Sequence, residues 1–352
     1  NIRDMDGKRY FFPSLMIVKQ FAGNHCVDYR GSDPFEEGIG MEQKTFRVQE
    51  MIVKKRKTAH LKPLLEKCIP VFLFLLASVS VLTTLGILFT LIVETVAFFR
   101  EVSLIEFFTS TELKPLSPVE PQFSILPLLV GTVMTSVVAM IVAIPIGLTT
   151  AIFLSEYATE RTRKVLKPLI EVLAGIPTIV YGFFAFTFVT PVLREFIPGL
   201  EATNALSPGI VMGIMIIPLV ASLSEDALNA VPNTLREGAL ALGATKLEVT
   251  WRVVIPAAMS GIIASFILGI SRAIGETMIV TIASGSSKDL TFDLTQSMQT
   301  MTAYIVEVTS GDASSGTTAY YSLYAVAMTL FVFTLLMNLL ARYISRKLRE
   351  AY

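Results

Sequence analysis

Long apolar runs alternate along the chain with short polar segments, and the runs exceed what the core helices of a water-soluble domain require. Six of them, at 69–99, 123–154, 166–193, 208–223, 257–283 and 319–343, reach or approach the ~20 apolar residues that one helical crossing of a bilayer needs. A lipid-exposed backbone must satisfy its own hydrogen bonds, so each run is expected as a helix. The pattern therefore predicts an all-α polytopic membrane protein with six transmembrane helices. Three regions follow: a polar tail at 1–68, an anchor helix and outer loop at 69–122, and a five-span core at 123–352. The core contains a polar loop at 224–256. Pro115, Pro118 and Pro121 disfavour continuous helix in the outer loop.

Composition agrees with lipid exposure. Hydrophobic residues make up 53% of the chain and charged residues only 16%, and mean hydropathy is +0.62; a soluble domain carries about 25% charged residues. The 29 basic and 29 acidic residues cancel, so there is no electrostatic footprint for nucleic acid and none is expected as a partner. Their distribution is more telling than their sum. Lys54, Lys55, Arg56 and Lys57 precede the first span, Arg161, Arg163, Lys164 and Lys167 lie between the second and third, and Arg342, Arg346, Lys347 and Arg349 follow the sixth. Basic residues near a span are retained on the cytoplasmic side. Both termini are thus expected inside, and counting spans puts the polar loop around Glu237 inside as well.

The first 40 residues are polar, lack helical periodicity and have no signal-peptide architecture. Met41-Glu42-Gln43-Lys44 looks like an ordinary start, so residues 1–40 are read as a mis-set upstream start or a functional extension. The first span is too long for a signal segment and is read as a retained anchor. Cys26 and Cys68 are far apart and in no metal-ligand spacing, and His25 and His60 are isolated; no metal site is expected. Trp251 suits the inner interface, and Glu94, near the outer end of the first span, suits snorkelling to water.

Arg272 and Glu276 are the ionisable residues inside the fifth run. At 100° per residue they share a face with Gly261, Ser265 and Gly269, whereas Ile263, Phe266, Ile267, Ile270 and Ile274 fall opposite. Charges facing lipid would cost at least about 2.5–3.5 kcal/mol each, so this face belongs inside the bundle or along a wet pathway. With Arg272 about 22 Å along the helix from Ala257, the pair lies beyond the midplane toward the outside. Arg suits an oxyanion because its planar fork holds two oxygens and stays charged. The alternative is a buried Arg272–Glu276 pair that only keeps the bundle in register; Arg preceding Glu is the weaker order for such a local pair. Ser265, Ser271 and Thr277 are candidate neighbours on the pathway. Gly175-Ile176-Pro177 breaks the third run, as a plain kink or as pathway lining.

The polar loop carries the most specific signal. Glu237-Gly238-Ala239, three residues, Gly243, nine residues and Val253-Val254-Ile255-Pro256 resemble the coupling loop of ABC importer permeases, in which Glu-Ala-Ala, Gly and Ile-x-Leu-Pro recur at that spacing. Gly238 departs from the pattern by replacing the first Ala. Further strings are similar to those of phosphate importer permeases: Ile125-Leu126-Pro127-Leu128-Leu129-Val130-Gly131-Thr132, Leu154-Ser155-Glu156-Tyr157-Ala158, Leu173 through Gly182, and Ser271 through Thr277. The long first span and outer loop favour the PstC type over its PstA-type partner.

The resemblance implies a type I ABC importer permease fold in a bacterial inner membrane. It implies partnership with a homologous PstA-type permease, two PstB-type ATPases and an extracytoplasmic PstS-type binding protein. ATP and Mg would be bound by the ATPases, with no cofactor on this chain, and alternating access would follow their nucleotide state. The family points to Arg272 and Glu276 for transport. Coupling would fall to Glu237, Gly238, Ala239, Gly243 and Pro256, with two short helices meeting as an elbow at Gly243. An amphipathic helix on the membrane surface, with Leu235, Ala239 and Leu242 on one side, is the alternative for the loop. No Gly-x4-Gly-Lys-Ser/Thr phosphate loop occurs, since Gly7-Lys8 is followed by Arg9, so hydrolysis must reside in another chain. Moving an anion inward against an inside-negative potential costs about 2.3 kcal/mol per charge per 100 mV, which argues for active coupling over a pore. Another oxyanion, a secondary anion transporter and a membrane-embedded enzyme are the rival readings; the coupling loop opposes the second, and the lack of a His, Cys or metal cluster in the spans opposes the third.

The charge pattern makes a direct topological prediction. A reporter fused after Tyr352 should read as cytoplasmic, and a cysteine placed near Leu113 should be labelled by an impermeant reagent in intact cells. Labelling only after membrane rupture would overturn the orientation.

Overall fold

The computed structural model describes residues 62–115, 117, 121–311 and 316–349. The tail up to residue 61, with its basic cluster, Cys26, His25, His60 and Met41, lies outside the described residues, as do Pro118 and the side chain of Cys68. Thirteen helices are described: α1 (Lys62–Glu101), α2 (Leu104–Thr109), α3 (Leu126–Ile152), α4 (Glu160–Ala174), α5 (Thr178–Phe184), α6 (Thr190–Phe196), α7 (Leu206–Asn229), α8 (Asn233–Ala241), α9 (Lys246–Val249), α10 (Ile255–Ile274), α11 (Met278–Ala283), α12 (Met301–Ser310) and α13 (Thr318–Arg349). Widened π-type turns at Phe153–Tyr157, Ala185–Val189 and Thr250–Val254 extend α3, join α5 to α6 and join α9 to α10. Among the described residues six helical runs are long and apolar enough to cross a membrane: Ile69–Glu101, Leu126–Tyr157, Thr178–Phe196, Leu206–Asn229, Lys246–Ile274 and Thr318–Tyr343. The expected all-α, six-span architecture is the one observed.

The described residues divide after Leu82 into two compact units. In the first, α1 exposes Phe72, Phe74 and Leu82, as suits a helix solvated by hydrocarbon.

The second unit is built on the pair α3 and α7. A Cβ added to Gly147 would lie 2.8 Å from Val220, one on Gly209 2.7 Å from Val138, and one on Gly213 2.7 Å from the Ala139 carbonyl oxygen. Contact positions advance together along both helices, so the two run parallel, and the connection between them is the crossover formed by α4, α5 and α6. Helix α10 lies antiparallel on α7: Gly261 meets Ala227, and Gly269 meets Ile216 and Val220. The Ser265 and Ser224 hydroxyls, both buried, bond at 2.7 Å. Lipid tails are as apolar as Leu, so helices associate through close packing at small residues and a few buried hydrogen bonds. A second cluster joins Phe98, Phe107, Phe123, Leu128, Met301 and Tyr304, with edge-to-face contacts of Phe98 with Phe107 and Phe123. It seats α2, in the outer loop, and α12 against the ends of the spans; α2 is a short helix that the prolines further along that loop do not prevent.

Four expected boundaries change. The run at 166–193 is not one span: 166–174 belongs to α4, whose basic positions bind elsewhere, and the crossing begins at Thr178. Pro177, which cannot donate a backbone hydrogen bond, separates the two. The fourth crossing continues past 223 to Asn229, because Ser224 and Glu225 find internal partners. The fifth helical run starts at Lys246 rather than at 257; the widened turn just before Pro256 accommodates the ring and the missing N–H. It also ends at Ile274, so Glu276 is not on the helix, and Ile274 is buried against neighbours instead of facing lipid.

Since a side chain on Gly213 would meet a backbone carbonyl that has little room to yield, Gly213→Leu should cost more than the ~1–3 kcal/mol typical of overpacking. The detergent-solubilised protein should melt at clearly lower temperature. Gly86→Leu, where a Cβ meets nothing within 4 Å, is the control. Equal melting of the two variants would mean that α3 and α7 do not make this contact.

Candidate functional site

Candidate residues gather at opposite ends of α7. At its N-terminal end, α10 delivers Arg272 in its last turn and stops at Gly275. Arg272 is exposed, and its Nη2 lies 3.8 Å from the Met215 sulfur on α7. Glu276 is buried in the non-helical break at 275–277. Its Oε1 accepts from the Met278 N–H at 3.2 Å, and its carbonyl accepts from the Thr302 hydroxyl at 2.6 Å. Among the described residues no ion pair joins Arg272 to Glu276; the end of the helix turns the carboxylate toward the start of α11. Ser271 donates to Asn338 Oδ1 on α13 at 2.7 Å. The Thr277 hydroxyl contacts the Gly275 carbonyl at 3.4 Å. Ser265 stands apart, two turns down α10, with its hydroxyl committed to Ser224 and the Ile262 carbonyl.

The break is held from several sides. The Met301 N–H donates to Thr132 on α3 at 3.0 Å, and Gly131 lies directly against the Gln299 carbonyl. A Cβ on Gly182 of α5 would sit 3.1 Å from the Met278 carbonyl oxygen on α11. The Gly131-Thr132 and Tyr181-Gly182 strings thus serve to seat the segment that follows Arg272.

The other end carries α8 and the turn into α9. Gly243 has φ +87°, and the last turn closes with Gly243 N–H donating to the Leu240 carbonyl at 2.9 Å and Ala244 N–H to the Ala239 carbonyl at 3.2 Å. That is a Schellman closure, which a glycine in the left-handed region completes without a Cβ penalty. A Cβ there would meet nothing within 4 Å, so within this chain the glycine is required by backbone conformation and not by close approach. Thr245 and Glu248 form a reciprocal capping box that starts α9. Glu237 and Gly238 are exposed, as are Leu235, Leu240, Leu242 and Leu247, while Ala239 packs against the Leu228–Val254 cluster. Pro256 is half-buried in the first turn of α10.

Arg236 anchors this elbow. Its guanidinium donates to the Leu228 carbonyl at 2.8 Å, the Val231 carbonyl at 2.5 Å, Asn233 Oδ1 at 3.2 Å and Glu156 Oε1 at 2.9 Å. The Leu154-Ser155-Glu156-Tyr157 string is therefore the receptor for the loop, and Lys246 sits 5.0 Å over the Tyr157 ring. Sequence reasoning missed Glu225, whose carboxylate is wholly buried between Arg163 at 2.5 Å and Lys167 at 3.1 Å, both on α4. Burial pushes the Lys167 ammonium down, but the hydrogen bonds and charges of Glu225 and Asp226 outweigh it and leave its pKa above the ordinary lysine value. A basic pair four residues apart, opposite the apolar positions 165, 169 and 172, was the available signal.

Residues 143–350 match the family model described as binding-protein-dependent transport system inner membrane component. The chain is 34% identical over 246 residues to the probable ABC transporter permease protein YqgH of Bacillus subtilis, covering 70% of this chain and 79% of that protein. It is 34% identical over 258 residues to the phosphate transport system permease protein PstC of Xylella fastidiosa, covering 68% and 78%. To PstC 1 of Mycobacterium tuberculosis the identity is 33% over 277 residues, covering 69% and 82%. A solved bacterial alginate ABC transporter in complex with its alginate-bound periplasmic protein aligns at TM-score 0.59 and 14% identity, over 79% of this chain and 95% of that one. That likeness speaks to the fold.

Proposed function

Because this chain belongs to the family of binding-protein-dependent transport system inner membrane components, we propose that it is the PstC-type permease subunit of an ATP-driven phosphate importer. It is a multi-pass permease of an ABC importer and not itself the ATPase. The observation that carries the substrate is the set of relatives named as phosphate permeases, which share about a third of their residues with this chain over two thirds of its length. The permease would pair with a PstA-type homologue, receive phosphate from a PstS-type binding protein and be driven by two PstB-type ATPases that hold ATP and Mg. Both termini and the elbow at Gly243 would face the cytoplasm.

Geometry supports roles for particular residues. Arg272 presents its guanidinium on an exposed face at the end of α10, with no carboxylate paired to it among the described residues, so its charge would be available to an anion at the boundary with a second permease. Glu276, held in the break beyond α10 by backbone contacts, would set the local potential so that phosphate passes without being trapped. Ser271 and Thr277 would flank the pathway. Ser265, bonded to Ser224, would contribute by letting α10 and α7 approach. At the other end, exposed Leu235, Leu240 and Leu242 beside Glu237 and Gly238 would dock an ATPase.

Each hydrogen bond to a charged group contributes about 1.5–3 kcal/mol, so losing a two-point contact should reduce transport by at least ~100-fold. Arg272→Gln should abolish phosphate uptake in vesicles at matched protein level while the complex still assembles. The double change with Glu276→Gln should remain inactive. Uptake near the unmodified rate in that double variant would mean the two residues serve only structure.

Gly243→Leu forces a branched side chain into the left-handed region, at about 1–2 kcal/mol, and should distort the elbow while leaving the spans inserted. Stimulation of ATP hydrolysis by the phosphate-loaded binding protein should disappear. Unchanged stimulation and uptake would show that the elbow does not couple.

A further inference from the structure

We infer that Glu225 is a positioning residue for coupling: it locks α4 to the loop-bearing end of α7, so that movement of the elbow at Gly243 is transmitted to the segment carrying Glu276. The inference rests on the reading of the 230–245 loop as the ATPase contact.

Helix α4 is an unusual passenger in this fold. None of its 15 residues is buried, and Val165, Leu169 and Val172 are exposed on the side away from Arg163 and Lys167. Apolar packing therefore does little to hold it, and its polar face must. Glu225, with no exposed surface, meets Arg163 Nη2 at 2.5 Å through Oε1 and Lys167 Nζ at 3.1 Å through Oε2. Lys167 also reaches Asp226 at 3.5 Å. A lone buried carboxylate would be strongly unfavourable, and two converging cations in a region of low dielectric are what make it tolerable. Removing its charge weakens both attachments of α4 at once and leaves Lys167 with Asp226 alone.

Contacts continue in both directions from this clamp. Toward the elbow, Asn229 Nδ2 lies 3.4 Å from Glu225 Oε1, Asn229 Oδ1 accepts from the Ser155 hydroxyl at 3.1 Å, and Ser155 reaches Glu156 at 3.2 Å. Glu156 then binds Arg236, which holds two backbone carbonyls at the start of the loop. Toward the opposite end, α4 finishes at the Gly175-Ile176-Pro177 turn, and the Tyr181 hydroxyl bridges that turn to the Leu173 carbonyl at 2.8 Å. One residue later Gly182 presses on Met278 and Ile279 of α11, and α11 begins directly after Glu276 and Thr277. A displacement of α4 relative to α7 thus has a contiguous route to Glu276.

The experiment uses the assembled transporter in proteoliposomes, with phosphate uptake and ATP hydrolysis followed together, so that the readout is ATP consumed per phosphate moved. Glu225→Gln keeps size and an amide that can still meet Asn229 but withdraws the charge from both cations, leaving Lys167 only its longer contact with Asp226. Allosteric couplings typically amount to about 5–150-fold, and the ratio is expected to rise by about tenfold; Glu225→Asp, which retains the charge, should bring it most of the way back. Uptake and hydrolysis falling in proportion, with the ratio unchanged, would mean that Glu225 only supports folding and would overturn the inference. Should Glu225→Gln fail to assemble, Lys167→Gln decides: one cation is removed while Arg163 keeps the carboxylate paired, and an unchanged ratio overturns the inference, whereas a raised one supports it. Gly243→Leu run in parallel separates the two readings. If Gly243→Leu leaves the ratio intact, the loop assignment falls and this inference with it; if Gly243→Leu uncouples and Glu225→Gln does not, this inference alone falls.

Discussion

The close approach of α3 and α7 is the constraint on which the second unit depends. Neither helix has a hydrophobic reason to prefer its partner over lipid, so association must come from contact made at short range. Gly147, Gly209 and Gly213 remove the Cβ atoms that would otherwise hold the backbones apart. Because the pair is parallel and adjacent among the core spans, the chain must return across the bundle between them. That return is the work of α4, α5 and α6, and it brings α4 back to the end of α7 where Glu225 waits. Helix α10 then repeats the logic on another face of α7, with Gly261, Ser265 and Gly269 as the small positions.

Polar groups determine where this close-packed scaffold can deviate from helix. The break after Ile274 survives within the membrane-embedded protein because its free groups are taken up: Thr302 serves the Glu276 carbonyl, Met278 N–H serves the Glu276 carboxylate, and Thr132 serves the Met301 N–H. Irregular backbone at such depth is tolerated only where protein or a wet cavity replaces the missing partners. The consequence is chemical as well as structural. An unbroken α10 would have set Glu276 one turn above Arg272 and invited mutual neutralisation; the break separates them and leaves the cation accessible.

Much of this was legible in the residues. Six apolar runs predict six crossings, and the Glu237-to-Pro256 spacing predicts an elbow whose glycine adopts φ +87°. What failed was the treatment of apolar length as spanning length. The run from 166 mixes an amphipathic helix with a crossing, and hydropathy alone cannot divide them; Pro177 is the divider. Likewise the 100° projection that placed Glu276 on the face of Arg272 assumes a helix that Gly275 ends. The largest omission, Glu225 with Arg163 and Lys167, lies in pairings across about 60 residues, for which no local period exists. Arg236 with Glu156, 80 residues apart, was missed for the same reason, although Glu156 fell within a string already singled out and Arg236 within the polar loop at 224–256.

The two ends of α7 solve opposite electrostatic problems. Near Asn229 every buried charge is matched: Glu225 by two cations, Glu156 by Arg236, and the loop carbonyls by the same guanidinium. Such matching makes a stiff body, since withdrawing one partner strands another in a poor solvent at a cost of several kcal/mol. Near Met215 the opposite holds, for among the described residues the Arg272 guanidinium has a soft sulfur as its hydrogen-bond partner and Glu276 is occupied by backbone. A fully paired arginine would have no remaining affinity for a passing oxyanion, and a free one deep in hydrocarbon would be too costly to keep. Its place at the exposed edge of α10 satisfies both conditions under the proposed pairing with a second permease. Rigidity at the end proposed to receive force and incomplete pairing at the end proposed to meet the anion are therefore complementary requirements, and α7 is the helix that carries both.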